Sequence, residues 1–253
     1  MAAIGHKNIL LLTATITPPA GVVALARTDP RVRLKDYEAA LEFYAGLVGR
    51  EVDEIVFAEN SLSDVSSLQA IARRRGIEDR VEFVVVDGLD YPVQYGRSYG
   101  EFRLVRRAMT ESRILANVES AMVWKVTGRY VVRNLSEIIR RRPDCDLYVN
   151  CRNLPSRLMD FFLYGFNAAG YRAVLMDFED HVREDATGGP GEIAGRTVLD
   201  ARLSRARIVR RFRVVPAVDG IRGYDNSRYL ASKGALKLTS RAIANRVAPW
   251  LWI

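Results

Sequence analysis

The segment Ala121 to Leu135 (AMVWKVTGRYVVRNL) places two cations, Lys125 and Arg129, where an apolar run reaches its carboxyl end. Met122, Val123, Trp124 and Val126 read as a buried strand, and Thr127-Gly128-Arg129-Tyr130 as the turn that leaves it. In open α/β sheets ligands bind at the carboxyl edge of the strands. A guanidinium and an ammonium at that edge suit an anion, most commonly a phosphate. The same two side chains could instead reach solvent or pair with carboxylates.

A second chemical group is acidic. Asp177-Phe178-Glu179-Asp180-His181 follows the strand-like YRAVLM, with Glu184 and Asp185 close behind. Asp177 would then stand at a strand end, and Asp177, Glu179 and Asp180 become candidates for a general base that takes a proton from an attacking hydroxyl. Clustered carboxylates could equally hold a metal or form an acidic surface loop. Asp144 and Asp146 have Asp-x-Asp spacing, but they follow Pro143 and precede the apolar run DLYVNC, which reads as a solvated turn. Cys145 and Cys151 supply neither a disulfide framework nor zinc-ligand spacing.

These groups need a scaffold, and the order of elements provides one. Asn8–Thr15 is apolar and β-branched and stops at Pro18-Pro19; Glu54–Ala58 and Val81–Val86 are further strands. Between them Asp36–Val48 and the segment after Asp64 have apolar residues at helical spacing, closed by Gly49 and Gly76. A helix is expected over Arg97–Ile114, the fourth strand over Met122–Val126, a short helix over Ser136–Arg142 and a fifth strand over Asp146–Cys151. Arg172–Met176 is expected as another strand and Thr197–Val215 as a basic helix. Strands alternating with helices give an α/β fold, a mostly parallel sheet covered on both faces. The stretch Asn8 to Ala26 mimics a signal peptide, but its threonines and the proline pair fit a strand running into a loop better. No stretch approaches the roughly 20 apolar residues of a membrane span.

Charge divides the chain of 253 residues unevenly. Residues 201–253 carry twelve Lys or Arg against two Asp, a net of +10, which leaves about −2 for the rest of a chain whose total is +8. Arg202, Arg205, Arg207, Arg210, Arg211 and Arg213 are interleaved with apolar residues, and the chain closes on Trp250-Leu251-Trp252-Ile253. A basic amphipathic stretch with terminal tryptophans fits an anionic membrane surface or another polyanion, although core burial of the end is an alternative. Helix-turn-helix and RNA-binding signatures are missing, so nucleic acid is not the expected partner.

Taken together, residues 9–152 resemble a GT-A type glycosyltransferase. LLTATITPP, with Thr13, stands where that fold's first strand ends at the nucleotide. VFAENSLSD, with Glu59, Asn60 and Ser61, stands where the second strand turns. Gly96, Gly100 and Ala108 in YGRSYGEFRLVRRAM match a Gly-x-x-x-Gly helix opening, and YGRSYGE followed by KVTGRYVVRN is similar to bacterial polysaccharide-type transferases with a K-x-T-G-R-Y block. The resemblance implies a GT-A-like (Rossmann-like) fold with a C-terminal helical, basic extension. It implies three regions: 1–153 for the nucleotide-sugar, 154–200 for the acceptor side and 201–253 as the basic segment. It further implies transfer of a sugar from a nucleotide-sugar donor to a glycan or lipid-linked acceptor, in a cytoplasmic protein peripheral to the inner face of the membrane.

The chain departs from that family at the fourth strand, where Thr127-Gly128-Arg129 replaces the usual metal-holding Asp-x-Asp. Lys125 and Arg129 would then clamp the leaving diphosphate without a required cofactor, although a divalent metal at the acidic cluster stays open. Gly128 would let the backbone approach the ligand. Tyr130 would stack on or bond a sugar, or else face the core. Glu59 and Asn60 would meet the base or ribose, or else only cap a helix. A sugar nucleotidyltransferase is the enzymatic rival, but TATITPPAG lacks its Gly-rich Thr-Arg loop. A polyanion-binding protein without enzymatic activity is the other.

Overall fold

The computed structural model describes residues 7–22, 25–223, 225–228 and 247. Four strands form the parallel part of its sheet: β1 (Lys7–Ala14), β2 (Glu54–Glu59), β3 (Val81–Val85) and β4 (Ala121–Thr127), ordered β3-β2-β1-β4. The chain thus steps outward from β1 to β3 and returns on the other side of β1 as β4. The strand order reverses between β1 and β4, which is a topological switch point. Two ribbons lie apart from this sheet: β5 (Val131–Val132) pairs with β11 (Val218–Asp219), and β7 (Cys151–Arg152) with β8 (Leu158–Met159). Beyond β4 the sheet changes direction. β9 (Leu163–Phe166) enters antiparallel, followed by β6 (Leu147–Tyr148) and then β10 (Ile208–Val209), which runs parallel to β6.

Burial explains why β1 is an unbroken apolar run. Ile9 and Leu11 enter the core on one face, Leu10 and Leu12 the core on the other, all at most 1 % exposed. One face is covered by α1 (Pro30–Ala45), α2 (Ser66–Arg74) and α4 (Leu135–Arg140). The other is covered by α3 (Gly96–Glu111), the short α5 (Ala168–Gly170) and α7 (Gly191–Ala201), with α6 (Glu184–Thr187) packed beside α3. α1 starts six residues before its expected position because Asp29 caps it, accepting from Arg31 N at 2.8 Å, with Pro30 at the first position. Trp124 is fully buried, and its indole N–H reaches Asn8 Oδ1 at 3.0 Å. The sheet is therefore mostly parallel and flanked by helices.

Three expected elements differ. Tyr171–Leu175 is a π-helical turn rather than a strand, because Tyr171, Val174, Leu175 and Phe178 bury one helical face. Thr197–Val215 is not one helix: α7 ends at Ala201, and the following segment supplies β10 to the main sheet and β11 to the ribbon with β5. The stretch Arg202–Arg213 is accordingly woven into the domain. Asp146–Cys151 contributes β6 and β7 with a break between them. No helix among the described residues is long and apolar enough to cross a membrane. Trp250 and Trp252 lie outside the described residues.

Candidate functional site

A cleft of about 800 Å³ opens at the switch point, over the carboxyl ends of β1 and β4. Thr13 and Thr127, the register partners at those two ends, lie on its floor. The loop after β1 forms one wall through Thr15, Pro18 and Pro19, with Asn60 behind it. The start of α3 forms another through Gly96, Arg97 and Glu101. The far side carries Asn150, Arg152 and Asp160 around the β7–β8 ribbon, then Glu192 and Ile193 from α7. Arg129, Tyr130 and Arg222 close the remaining side.

The wall after β1 is held by a dense set of bonds. Glu59 is fully buried, and its carboxylate accepts from the backbone N–H of Ile16 (3.0 Å), Ser61 (2.9 Å) and Ser63 (3.1 Å), and from the Ser61 hydroxyl. Asn60 Oδ1 accepts from the Thr15 hydroxyl at 2.7 Å, and Ser61 Oγ accepts from Thr17 N at 3.0 Å. From α1, Arg33 Nε donates to Thr15 O at 2.7 Å and Tyr37 Oη accepts from Thr15 N at 2.9 Å. Glu59 is therefore not a ligand-facing group, contrary to the expectation from sequence: its carboxylate is consumed in tying the loop to β2. Ser61 takes part in the same lattice and does not line the cleft, whereas Asn60 does.

The two cations separate. Arg129 lines the cleft, with its guanidinium 4.5 Å over the Tyr130 ring. One terminal nitrogen donates to Tyr130 Oη at 2.8 Å and the other to Ile221 O. Two of its five N–H groups are thereby used, and the planar fork is held at the rim. Lys125 points the other way. Its side chain is fully buried, paired with Glu101, and bonded to Phe161 O at 2.7 Å. It cannot clamp a diphosphate, because alternation along β4 turns it into the core beneath α3.

The glycines also serve packing. Gly128 N donates to Thr13 O at 2.8 Å, and a side chain there would press to 2.9 Å from that oxygen, so the close approach is to β1 and not to a ligand. Gly96 takes φ +82°, where the Glu184 side chain covers it, and the Tyr91 hydroxyl covers Gly100. Both still border the cleft. Tyr130 is 7 % exposed and lines the cleft beside Arg129.

None of the three expected catalytic carboxylates reaches the cleft. Asp177 is gripped by Arg202 at 2.6 and 3.1 Å and stands 3.6 Å from His181. Burial of the carboxyl is outweighed by that guanidinium, so its pKa falls below the usual range. Glu179 is buried with Arg106 Nε 2.6 Å away, and burial raises its pKa. Asp180 is exposed. All three miss because the segment before them is helical, which removes the strand end at which Asp177 was to stand. Among the described residues, no three His, Cys, Asp or Glu side chains gather as metal ligands. Asp144 and Asp146 both grip Arg207, the latter at 2.9 Å. Within the basic segment Arg202 is neutralised in the same way by Asp177, and Arg210 by Asp200 at 3.0 Å.

Sequence reasoning missed the carboxylates that do line the cleft: Glu101, Asp160 and Glu192. Asp160 is tied to Asn150 at 2.7 Å and to Arg152. The Glu192 carboxylate makes no side-chain hydrogen bond or ion pair among the described residues, and burial raises its pKa; its own backbone N–H and Arg97 oppose the shift, while Glu101 and Glu184 add to it. The spacing Arg97–Glu101, one helical turn on the face beside the two glycines, was the available signal for Glu101. Glu192, two residues past the Gly188-Gly189-Pro190 turn, carried none.

No family model matches the sequence, and no curated protein does. Solved structures are similar in overall course. One is described as a nucleotide-diphospho-sugar transferase from Desulfovibrio desulfuricans G20, 13 % identical over 94 % of this chain and 97 % of that one, with a TM-score of 0.48. Another is galactosyltransferase LgtC in complex with donor and acceptor sugar analogues, 10 % identical over 81 % and 73 %, with a TM-score of 0.47. A third is a nucleoside-diphosphate-sugar pyrophosphorylase from Vibrio cholerae RC9, 11 % identical over 84 % and 94 %, with a TM-score of 0.42. At these scores the likeness assigns no activity, and the functional reading rests on the cleft itself.

Proposed function

We propose that the chain is a glycosyltransferase that moves a sugar from a nucleotide-sugar donor to a glycan or lipid-linked acceptor. The observation that carries this reading is Arg129, a cleft-lining guanidinium held at the switch point between the carboxyl ends of β1 and β4. The donor's diphosphate sits against Arg129, and its nucleoside against the Thr15–Pro19 wall and Asn60. When the glycosidic bond to the diphosphate breaks, charge grows on the leaving oxygen. A guanidinium already in place stabilises it without reorganisation. Glu192 takes the acceptor's proton: it is the cleft carboxylate without a cationic hydrogen-bond partner, and burial has made it more basic.

A thermal-shift screen of UDP, GDP, CDP and their hexose conjugates, each with EDTA and with manganese, tests the reading. A nucleotide at a hundred times its Kd stabilises by about 2.7 kcal/mol, or roughly 5–11 °C for a domain of this size. Arg129→Ala should weaken that nucleotide about 10- to 100-fold, the equivalent of one lost charged hydrogen bond. Response only with manganese would replace Arg129 by a metal as the neutralising charge. Silence from every nucleotide would reject the transferase reading and favour polyanion binding.

A further inference from the structure

Lys125 is a costly residue to place inside a sheet. Its side chain is 0 % exposed, between Trp124 and Val126, which are equally buried. An ammonium taken out of water loses several kcal/mol of hydration, and an apolar residue would fill the same space without that loss. Its surroundings show what the charge holds. Nζ donates to the Glu101 carboxylate, to Phe161 O at 2.7 Å and to Thr127 Oγ1 at 3.2 Å, and lies 5.4 Å from the centre of the Tyr164 ring.

Glu101 receives more than this one bond. The same oxygen, Oε1, also accepts from Thr127 Oγ1 at 2.8 Å and Thr13 Oγ1 at 3.3 Å. Those threonines are partners in register at the ends of β1 and β4. Three donors from two strands thus converge on one oxygen of a side chain carried by α3. The other oxygen, Oε2, makes no hydrogen bond among the described residues, and Glu101 is a partly exposed wall of the cleft. A pair serving stability alone would have no need to keep one carboxylate oxygen open to the cavity.

We infer that Glu101 contacts substrate, its Oε2 accepting a hydroxyl of the transferred sugar, and that Lys125 is the positioning residue that holds it. The inference rests on the nucleotide-sugar reading. An anion fixed from behind on one oxygen is a selective acceptor for a sugar hydroxyl. A site built to bond a hydroxyl also rejects a ligand that lacks it. Glu101 therefore distinguishes the sugar conjugate from the bare nucleotide, while Arg129 holds the diphosphate common to both.

The test is calorimetric titration of wild type, Glu101→Gln and the double variant Lys125→Met/Glu101→Gln with UDP, GDP, CDP and their hexose conjugates. Wild type should bind one conjugate more tightly than its nucleoside diphosphate. Glu101→Gln should keep the diphosphate affinity and lose about 10- to 100-fold on the conjugate, the equivalent of one charged hydrogen bond. The double variant removes the buried charge together with its partner, so its melting temperature should exceed that of Glu101→Gln. Its conjugate preference should stay lost, which a purely structural pair does not predict. Conjugate affinity at the wild-type level in the double variant would overturn the inference, as would equal losses on diphosphate and conjugate or a wild type without conjugate preference. A wild type that binds no nucleoside diphosphate would overturn the nucleotide reading itself, and this inference with it.

Discussion

Replacing Glu59 by alanine separates a strut from a ligand. Its carboxylate satisfies three backbone N–H groups, of which Ile16 belongs to a buried residue and Ser61 and Ser63 to half-buried ones. A buried N–H left unpaired costs about 1–3 kcal/mol. Ile16 bears that cost in full and the half-buried Ser61 and Ser63 only in part, giving a loss of about 2–4 kcal/mol. At roughly 2–4 °C per kcal/mol the melting temperature should fall by about 4–16 °C. A domain with a total stability of about 5–15 kcal/mol still folds after such a loss. Differential scanning fluorimetry reads the shift directly. Nucleotide titration at low temperature should then show weakened binding, because the loop after β1 is no longer tied to β2. The reasoning fails if Glu59→Ala melts within about 2 °C of wild type yet no longer binds the nucleotide. That pair of results would make Glu59 a direct contact.

Two further outcomes follow from the carboxylates around the cleft. Burial holds the Glu192 pKa above its ordinary value, so the folded state favours the protonated form, and stability falls as pH rises from the unfolded value through the folded one. Glu192→Gln should therefore be more stable than wild type at neutral pH and indistinguishable below the ordinary carboxylate range. It should also lose about 10²- to 10⁴-fold in kcat, together with the acid limb of the rate profile; an unchanged kcat would remove Glu192 from the mechanism. Asp177→Asn deprives the buried Arg202 of its counterion. Because Asp177 is more than half exposed, the cost should be only about 1 kcal/mol, with nucleotide-induced stabilisation intact. Loss of turnover at unchanged stability would restore Asp177 as catalytic.

The parallel half of the fold was legible because strands buried on both faces must be continuous apolar runs, as the centres of β1 and β2 are, and β4 but for Lys125. The direction change beyond β4 was not, since Leu163–Phe166 is four aromatic-rich residues whose partners lie far away in sequence. The spacing of Tyr171, Val174, Leu175 and Phe178 did contain a helix, but the β-like run YRAVLM concealed it. At the site, positions at strand ends were found, as Thr13, Thr127 and Arg129 show, whereas the direction in which each side chain turns was not. Lys125 and Arg129 are four residues apart, yet one is sealed beneath α3 and the other stands at the rim. No run of letters separates these two outcomes without the helix that covers one of them.

The antiparallel entry of β9 has a consequence for how such a molecule can change. Because that strand runs against β4, the loop that feeds it arrives at the rim where β4 ends, and Phe162 O receives the Thr127 N–H there at 2.9 Å. One border of the cavity is therefore built by a stretch that crosses over from the opposite half of the chain. Residues 153–157, all exposed, can be lengthened, shortened or exchanged while the parallel strands and the loop after β1 keep their bonds. The border of the cavity at Pro155 and Ser156 is in this sense a replaceable part, hung on a fixed chassis.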